Sequence, residues 1–242
     1  MKICTKKFDI SFCDVGENNC LTNKGILRMM QEIAGIHSQI AGYGLNDIPK
    51  TGLAWLLLNW KLKVFLRPKW GETLTINTWS RSQNALFSYR DLEVYDSNNN
   101  LVAIATSKWL LFDVKKQTIA KTTPEMREKF ESTNKAVFEE KFNEKLKEPE
   151  NSEFILEYKI ERRDIDTNHH VNNLNYLDFA YEALPEDIYK NGELSNVEIM
   201  YKHEAKLGDT LLVYYASVEQ NEHIITIKDK ETGNLHSIIK LY

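Results

Sequence analysis

The chain carries its own pattern twice. Sliding the sequence by 150 positions sets Asp14 on Asp164, Val15 on Ile165, Asn18 on Asn168, Leu21 on Val171, Asn23 on Asn173 and Leu27 on Leu177. Further along, the offset falls to 137, where Lys69, Gly71, Thr73 and Leu74 meet Lys206, Gly208, Thr210 and Leu211. Such self-similarity restricts the fold to two copies of one supersecondary unit, each reading strand, polar elbow, helix, then several strands. The shrinking offset places the surplus residues of the first half in GYGLNDIPKTG, 42–52, a turn-rich loop.

Local patterns fill in the unit. In the first half a helix is predicted to begin near Thr22 or Asn23, both good caps. It carries Ile26, Met30, Ile33, His37 and Ile40 on one face and stops near Gly42. Leu58, Trp60, Leu62, Val64 and Leu66 then alternate with Asn59, Lys61, Lys63 and Phe65, the period-two pattern of a strand with one solvated face. The second half predicts a helix with Val171, Leu174, Leu177, Tyr181 and Leu184 on one stripe, ending at Pro185. DSNNNLVAIA at 96–105 and DKETGNLHSII at 229–239 share turn chemistry followed by an apolar run. Between the halves lies a Lys- and Glu-rich stretch opened by Thr123 and Pro124, a good helix start, and closed around Pro149. The expected organisation is a first module at 1–122, a partly helical linker at 123–150 and a second module at 151–242.

Composition narrows the function classes. With 242 residues, 42% of them hydrophobic, the chain can bury a sizeable core. Its most apolar run, LAWLLLNWKLKVFL at 53–66, is interrupted by Asn59, Lys61 and Lys63, so no membrane span is expected. No basic-apolar-small pattern opens the sequence, which points to a soluble, unexported protein. Cys4, Cys13 and Cys20 are odd in number and lack CxxC spacing, so we expect neither a disulfide framework nor a zinc site, but a reducing, cytoplasmic setting with the cysteines as small buried hydrophobes. A formal charge of −4 gives no pull toward nucleic acid, and neither a Gly-rich phosphate loop nor a GxSxG elbow is present. No cofactor is called for.

The elbow of the second half, RRDIDTNHHVNN at 162–173, crowds Asp164, Asp166, Asn168, His169 and His170 together. Asp164, Asp166 and Asn168 imitate the start of a calcium loop, but His169 stands where that loop needs Gly and Asn175 where it needs Glu. Asp164 and Asn172 read as helix-capping groups. His169 and His170 diverge in direction and have no further ligand at metal spacing, so no metal is expected. His37, on an apolar helix face, reads as a satisfied core histidine.

The string DTNHHVNN, followed downstream by MYKHEAKLGD, resembles the acyl-acyl carrier protein thioesterase family, known from plant plastids and from bacteria. The resemblance covers nearly the whole chain. It implies an α+β fold, a tandem (double) hot dog in which each module is a long central helix wrapped by a curled antiparallel sheet. It further implies hydrolysis of fatty acyl-acyl carrier protein, with functional roles for Asp166, Asn168, His170 and Glu204. Plant members carry cysteine directly after the glutamate, whereas this chain has Ala205, so a thiolate mechanism is not available and activated water remains.

Residue chemistry points the same way. His170 is suited to take a proton from water or to hand one to a leaving thiolate. Glu204 either orients His170 or is itself the base. Asn168 can donate to the carbonyl or hold the water, Asp166 can orient the network, and backbone N–H groups near Val171 can stabilise an oxyanion. The repeat sharpens the assignment, because Asp166 falls on Gly16, His170 on Cys20 and Glu204 on Arg67. One catalytic site per chain is therefore expected, in the second module, with the first supplying substrate cavity. Trp55 is a candidate for lining that cavity. Arg162 and Arg163, with Arg67, Lys69, Arg81 and Lys202, can form a patch for an acidic carrier protein. An acyl-CoA thioesterase of the same fold and a non-catalytic acyl- or carrier-binding protein are the rival readings, and both monomer and homodimer are open.

Overall fold

The computed structural model describes residues 2–83, 86–140, 142, 145–191, 194–219 and 221–242, and resolves the chain into two compact units, Met1–Phe142 and Asn143–Tyr242. The first unit contains β1 (Cys4–Asp9), α1 (Asn23–Ile40), α2 (Ile48–Thr51), β2 (Leu53–Val64), β3 (Thr73–Gln83), β4 (Phe87–Tyr95), β5 (Leu101–Asp113), β6 (Thr118–Ala120) and α3 (Pro124–Phe130). Its strands form an antiparallel sheet in the order β1-β3-β4-β5-β2, with β6 on β5. The second unit contains β7 (Glu153–Lys159), α4 (Asn175–Glu182), α5 (Glu186–Asn191), β8 (Asn196–Tyr201), β9 (Thr210–Glu219), β10 (Glu222–Asp229) and β11 (Leu235–Leu241). Here the antiparallel order is β8-β11-β10-β9-β7.

The duplication is visible bond by bond. In the first unit Ile10 N donates to Glu72 O, Gly71 N to Ile10 O, Gly16 N to Cys20 O, Leu21 N to Pro68 O and Thr22 N to Asp14 O. In the second, the same places are taken by Ile160 N to Asp209 O, Gly208 N to Ile160 O, Asp166 N to His170 O, Val171 N to Ala205 O and Asn172 N to Asp164 O. Gly71 and Gly208 both sit at positive φ, 86° and 94°, which is why glycine recurs at this turn. A second left-handed position, Asn19 at φ 61° and His169 at φ 63°, closes each elbow.

Helix α1 forms as expected. The Thr22 hydroxyl accepts the Gly25 amide at 3.0 Å, and Ile26, Leu27, Met29, Met30, Ile33 and His37 are buried against β1 and β3. Ile40, expected on the buried face, is exposed because it closes the last turn beyond the sheet. Leu66 is exposed for a similar reason: β2 ends at Val64, before the expected alternation does. His37 is buried with its Nδ1 2.8 Å from Arg90 Nη1. Burial pushes that guanidinium down to about 10. Of the cysteines, Cys4 is buried, but Cys13 is exposed on a single 3₁₀ turn and Cys20 is half-buried.

Helix α4 differs most from expectation. The stripe from Val171 to Leu184 reads as one long helix, yet the α-helix spans only Asn175–Glu182 against the 18 residues of α1. Gly25 explains the contrast, since a Cβ there would meet Asp14 O at 2.5 Å. Asn175 occupies the corresponding place, so the backbone makes a tighter turn first, with Asn172 Oδ1 taking the Leu174 amide and Asn175 Nδ2 reaching Asp164 O. Helix α3 does start at Pro124 with Thr123 as its cap. The chain beyond it runs along the first sheet: Thr133 N bonds Ser80 O, Trp79 Nε1 bonds Lys135 O, Val137 N bonds Asp91 Oδ2, and Lys61 pairs with Glu140. Lys141, Asn143 and Glu144 of the expected linker lie outside the described residues.

A buried carboxylate stands at the base of each elbow. Asp14 is 1% exposed and takes Arg28 Nε at 2.6 Å, Arg28 Nη2 at 2.7 Å and the Ser11 amide at 3.2 Å. Burial alone would raise its carboxyl, but the Arg28 and Ser11 hydrogen bonds outweigh that and hold it below the ordinary carboxylate value. A depressed folded-state value means stability that is present above the unfolded value and lost as pH falls through the folded one. Arg28→Ala is therefore expected to cost about 1.5–3 kcal/mol at pH 7, with the gap to wild type narrowing as pH drops below about 4. Denaturant midpoints measured from pH 7 down to pH 3 check this; a gap that stays constant would refute it.

Candidate active site

The second elbow is set by Asp164. Its carboxylate accepts the Glu161 amide at 2.9 Å and the Tyr158 hydroxyl at 3.1 and 3.3 Å, while its carbonyl receives Asn172 N at 2.8 Å. A neutral phenol thus stands in for the guanidinium that holds Asp14, and Asp178 occupies the position of Arg28. Downstream, Asp166 N donates to His170 O at 2.8 Å and His169 N to Asp166 O at 3.1 Å, so residues 166–170 close into a tight turn. His169 takes the left-handed position of that turn and is exposed.

Two side-chain pairs emerge from the four residues singled out in the sequence. Asp166 Oδ1 accepts the Asn168 amide at 2.7 Å, and its Oδ2 lies 3.4 Å from Asn168 Nδ2. His170 Nε2 lies 3.1 Å from Glu204 Oε2. The first pair shapes the turn and fixes the Asn168 side chain; the second joins the elbow to the segment following β8. Among the described residues no side-chain hydrogen bond links one pair to the other; only the backbone bond from Asp166 N to His170 O does. His170 is about one-quarter exposed and Glu204 about one-half, so the pair sits where solvent water reaches it.

The backbone bond from Val171 N to Ala205 O, 2.9 Å, aligns the two segments. It also corrects one expectation. The Val171 amide is occupied, so it is not available to an oxyanion, and the side chain is buried. The neighbouring His170 amide differs: its counterpart, Cys20 N, is capped by Asn18 Oδ1 at 2.9 Å. Asn168 turns to Asp166 instead, leaving the His170 N–H without an acceptor among the described residues.

Other expected residues are placed as follows. Trp55 lies in the first unit, on β2, edge-on to Phe130 with ring centroids 6.0 Å apart. Arg162 and Arg163 are exposed on the 3₁₀ turn before Asp164, with Arg163 Nη2 3.0 Å from Glu161 Oε2. Lys202, His203 and Lys206 are exposed on the segment that carries Glu204. No cluster of three or more His, Cys, Asp or Glu suited to a metal occurs among the described residues.

The first unit lacks this chemistry on the same backbone. Arg67, at the place of Glu204, sends Nη1 to Leu21 O at 3.1 Å, and Cys20 replaces His170. Three contributors near the site escaped sequence reasoning: Tyr158 beneath Asp164, the buried Tyr176 on α4, and His236 on β11. Burial pushes the Tyr176 phenol well above its ordinary value, with the Ala205 backbone N–H loosely against its oxygen. No local pattern in the sequence marks these three, and only spatial adjacency brings them to the elbow.

A crystal structure of an acyl-ACP thioesterase from Bacteroides thetaiotaomicron superposes with a TM-score of 0.88 at 22% identity, covering 99% of this chain and 96% of that one. The 12:0-ACP thioesterase from Umbellularia californica gives 0.83 at 20% identity, covering 99% and 96%. Both show the fold, which is of hot dog type, α+β with antiparallel sheet. Among curated proteins, the chloroplastic oleoyl-acyl carrier protein thioesterase 1 of Arabidopsis thaliana is 26% identical over 222 residues, 85% of this chain and 61% of its own length. The chain thus spans about three-fifths of that relative. Its sequence matches the acyl-ACP thioesterase N-terminal domain over residues 1–130 and the acyl-ACP thioesterase C-terminal domain over residues 147–239, and the chain belongs to the acyl-ACP thioesterase family.

Proposed function

We propose that this chain hydrolyses the thioester of a fatty acyl-acyl carrier protein, releasing free fatty acid and carrier. The observation that carries the reading is the His170–Glu204 pair at 3.1 Å, held beside a turn whose His170 amide is open. A water adds to the thioester carbonyl and loses its proton to the pair. The developing oxyanion is met by the His170 N–H and the second Nδ2 hydrogen of the Asn168 side chain, and the carbon–sulfur bond then breaks as the pair returns the proton to the carrier thiolate. Asp166 acts by fixing Asn168. No cofactor takes part in this scheme. We read the two units as hot dog modules in tandem, the second catalytic and the first, with Trp55, receiving acyl chain. The three free cysteines fit a reducing compartment, which we take to be cytoplasmic.

Glu204→Ala and His170→Ala are each expected to lower kcat on acyl-carrier substrates by about 10²–10⁴-fold with the fold intact, measured as free-thiol release. Turnover untouched by both substitutions sinks the assignment. Equal turnover of acyl-CoA by the wild type would favour the coenzyme A reading, and binding without turnover the carrier-binding one.

Arg162, Arg163, Lys202 and Lys206 give the face around Glu204 a basic rim suited to an acidic carrier. Arg162→Gln combined with Arg163→Gln is expected to raise KM for acyl carrier several-fold, leave kcat unchanged and spare acyl-CoA. An unchanged KM removes these two from the docking surface. Because the first elbow carries Cys20 and Arg67, titration with a non-hydrolysable thioester analogue is expected to saturate at one equivalent per chain. Two equivalent sites would contradict that.

A further inference from the structure

Glu204 lies just beyond regular structure. The β8–β11 ladder ends with Tyr201 opposite Ser237, and the next residue, Lys202, donates its amide to His236 O at 2.8 Å. Past this point the chain leaves the sheet and must still deliver the Glu204 carboxylate to His170. The next peptide carbonyl, that of His203, is taken up by a side chain: His236 Nδ1 lies 2.9 Å from His203 O. A carbonyl only accepts, so Nδ1 carries the proton. One residue thus grips the segment twice, through its own carbonyl and through its ring, on the two residues immediately before Glu204.

The ring is itself immobilised. His236 is 3% exposed, and its Nε2 is buried 4.0 Å from Asp229 Oδ2, with no hydrogen-bond partner among the described residues. Asp229 is fixed in turn, its Oδ1 accepting the Thr232 amide and hydroxyl, each at 2.7 Å, and the Glu231 amide at 3.1 Å. The His236 ring is thus held by burial and by its Nδ1 bond to the peptide that precedes Glu204, with the fixed Asp229 carboxylate near its far edge. Purely structural needs do not call for a histidine here, since a β11 residue buried to this degree is ordinarily apolar.

We propose that His236 is a positioning residue for the thioester hydrolysis inferred above, acting through the His203 carbonyl to hold Glu204 within hydrogen-bond distance of His170. It does not touch substrate. It replaces the ladder bond that the departing strand forgoes, and it sets the geometry of a carboxylate that is otherwise half exposed and free to swing.

The test compares His236→Leu, which removes the donor, with His236→Asn, whose amide can present a donor near the Nδ1 position, and with Glu204→Gln. Two readouts are taken on each full chain that unfolds cooperatively: steady-state acyl-carrier hydrolysis, and the ¹⁵N resonance of His170 Nε2 in the resting protein. His236→Leu is expected to lower kcat about tenfold with KM within twofold, and to move the His170 Nε2 resonance toward its position in Glu204→Gln. His236→Asn is expected to recover most of both. If His236→Leu does not fold, His236→Gln, whose amide falls at the Nε2 position, takes its place. Wild-type kcat and an unmoved His170 resonance in the donor-less variant overturn the proposal, as does equal impairment of the Asn and donor-less variants. The resonance readout does not require turnover, so a wild type that fails to hydrolyse acyl carrier would count against the function and leave the positioning role decided by the resonance alone.

Discussion

A single backbone hydrogen bond aligns the chemistry of the second unit: Val171 N to Ala205 O, 2.9 Å. The residues just before its two ends are His170 and Glu204. Fixing one peptide of the elbow against one peptide of the departing strand therefore brings these two side chains to 3.1 Å. The bond is possible only because the elbow has a defined shape, and that shape hangs on the buried Asp164. Its carboxylate and carbonyl together take up donors from Glu161, Tyr158, Asn172 and Asn175. A buried carboxylate left without these donors would cost several times what any one of them contributes. The stability of this unit and the geometry of the His170–Glu204 pair thus depend on the same turn.

The first unit uses the same frame with the opposite electrostatic solution. Asp14 is neutralised by Arg28 in a two-pronged pair, and Arg67 donates to the elbow carbonyl of Leu21. Both arrangements consume polar groups locally. In the second unit the buried carboxylate is held by a neutral phenol, and the positions of Arg28 and Arg67 carry Asp178 and Glu204. Removing two cations next to the elbow leaves His170 and Glu204 to interact with each other rather than with a guanidinium.

Much of this was legible in the sequence because turn chemistry is local. Thr22 caps α1, Gly71 and Gly208 hold left-handed turns, and Asp166, Asn168, His170 and Glu204 lie on the elbow and on the segment that meets it, all from patterns a few residues long. What escaped depends on contacts between segments. The α4 stripe kept its apolar spacing, but whether its first turn is helical was decided by the crowding of residue 175 against Asp164 O, where Gly25 in the other copy leaves room. The Val171 amide looked free from its place at a helix start, yet Ala205, more than thirty residues away in sequence, claims it. Cys13 and Ile40 have apolar character and exposed positions, because a short 3₁₀ turn and a terminal helical turn offer nothing to pack against. Tyr158 and His236 carry polar tips on buried bodies, and sequence periodicity registers only the bodies.

Burial also bears on which nucleophile the proposed site can use. Glu204 is half exposed and meets His170, whereas Ala205 is fully buried beside Tyr176, with its backbone N–H turned toward that phenol. A side chain at 205 therefore faces the core, away from the His170 imidazole. Placing a thiol there would bury it against an aromatic cluster of Tyr176, Tyr201 and Phe179, where burial raises a thiol's pKa and suppresses the thiolate. On this reading the alanine at 205 removes no exposed attacking group from the proposed site. Solvent reaches the His170–Glu204 pair, which fits the water nucleophile of the proposed hydrolysis.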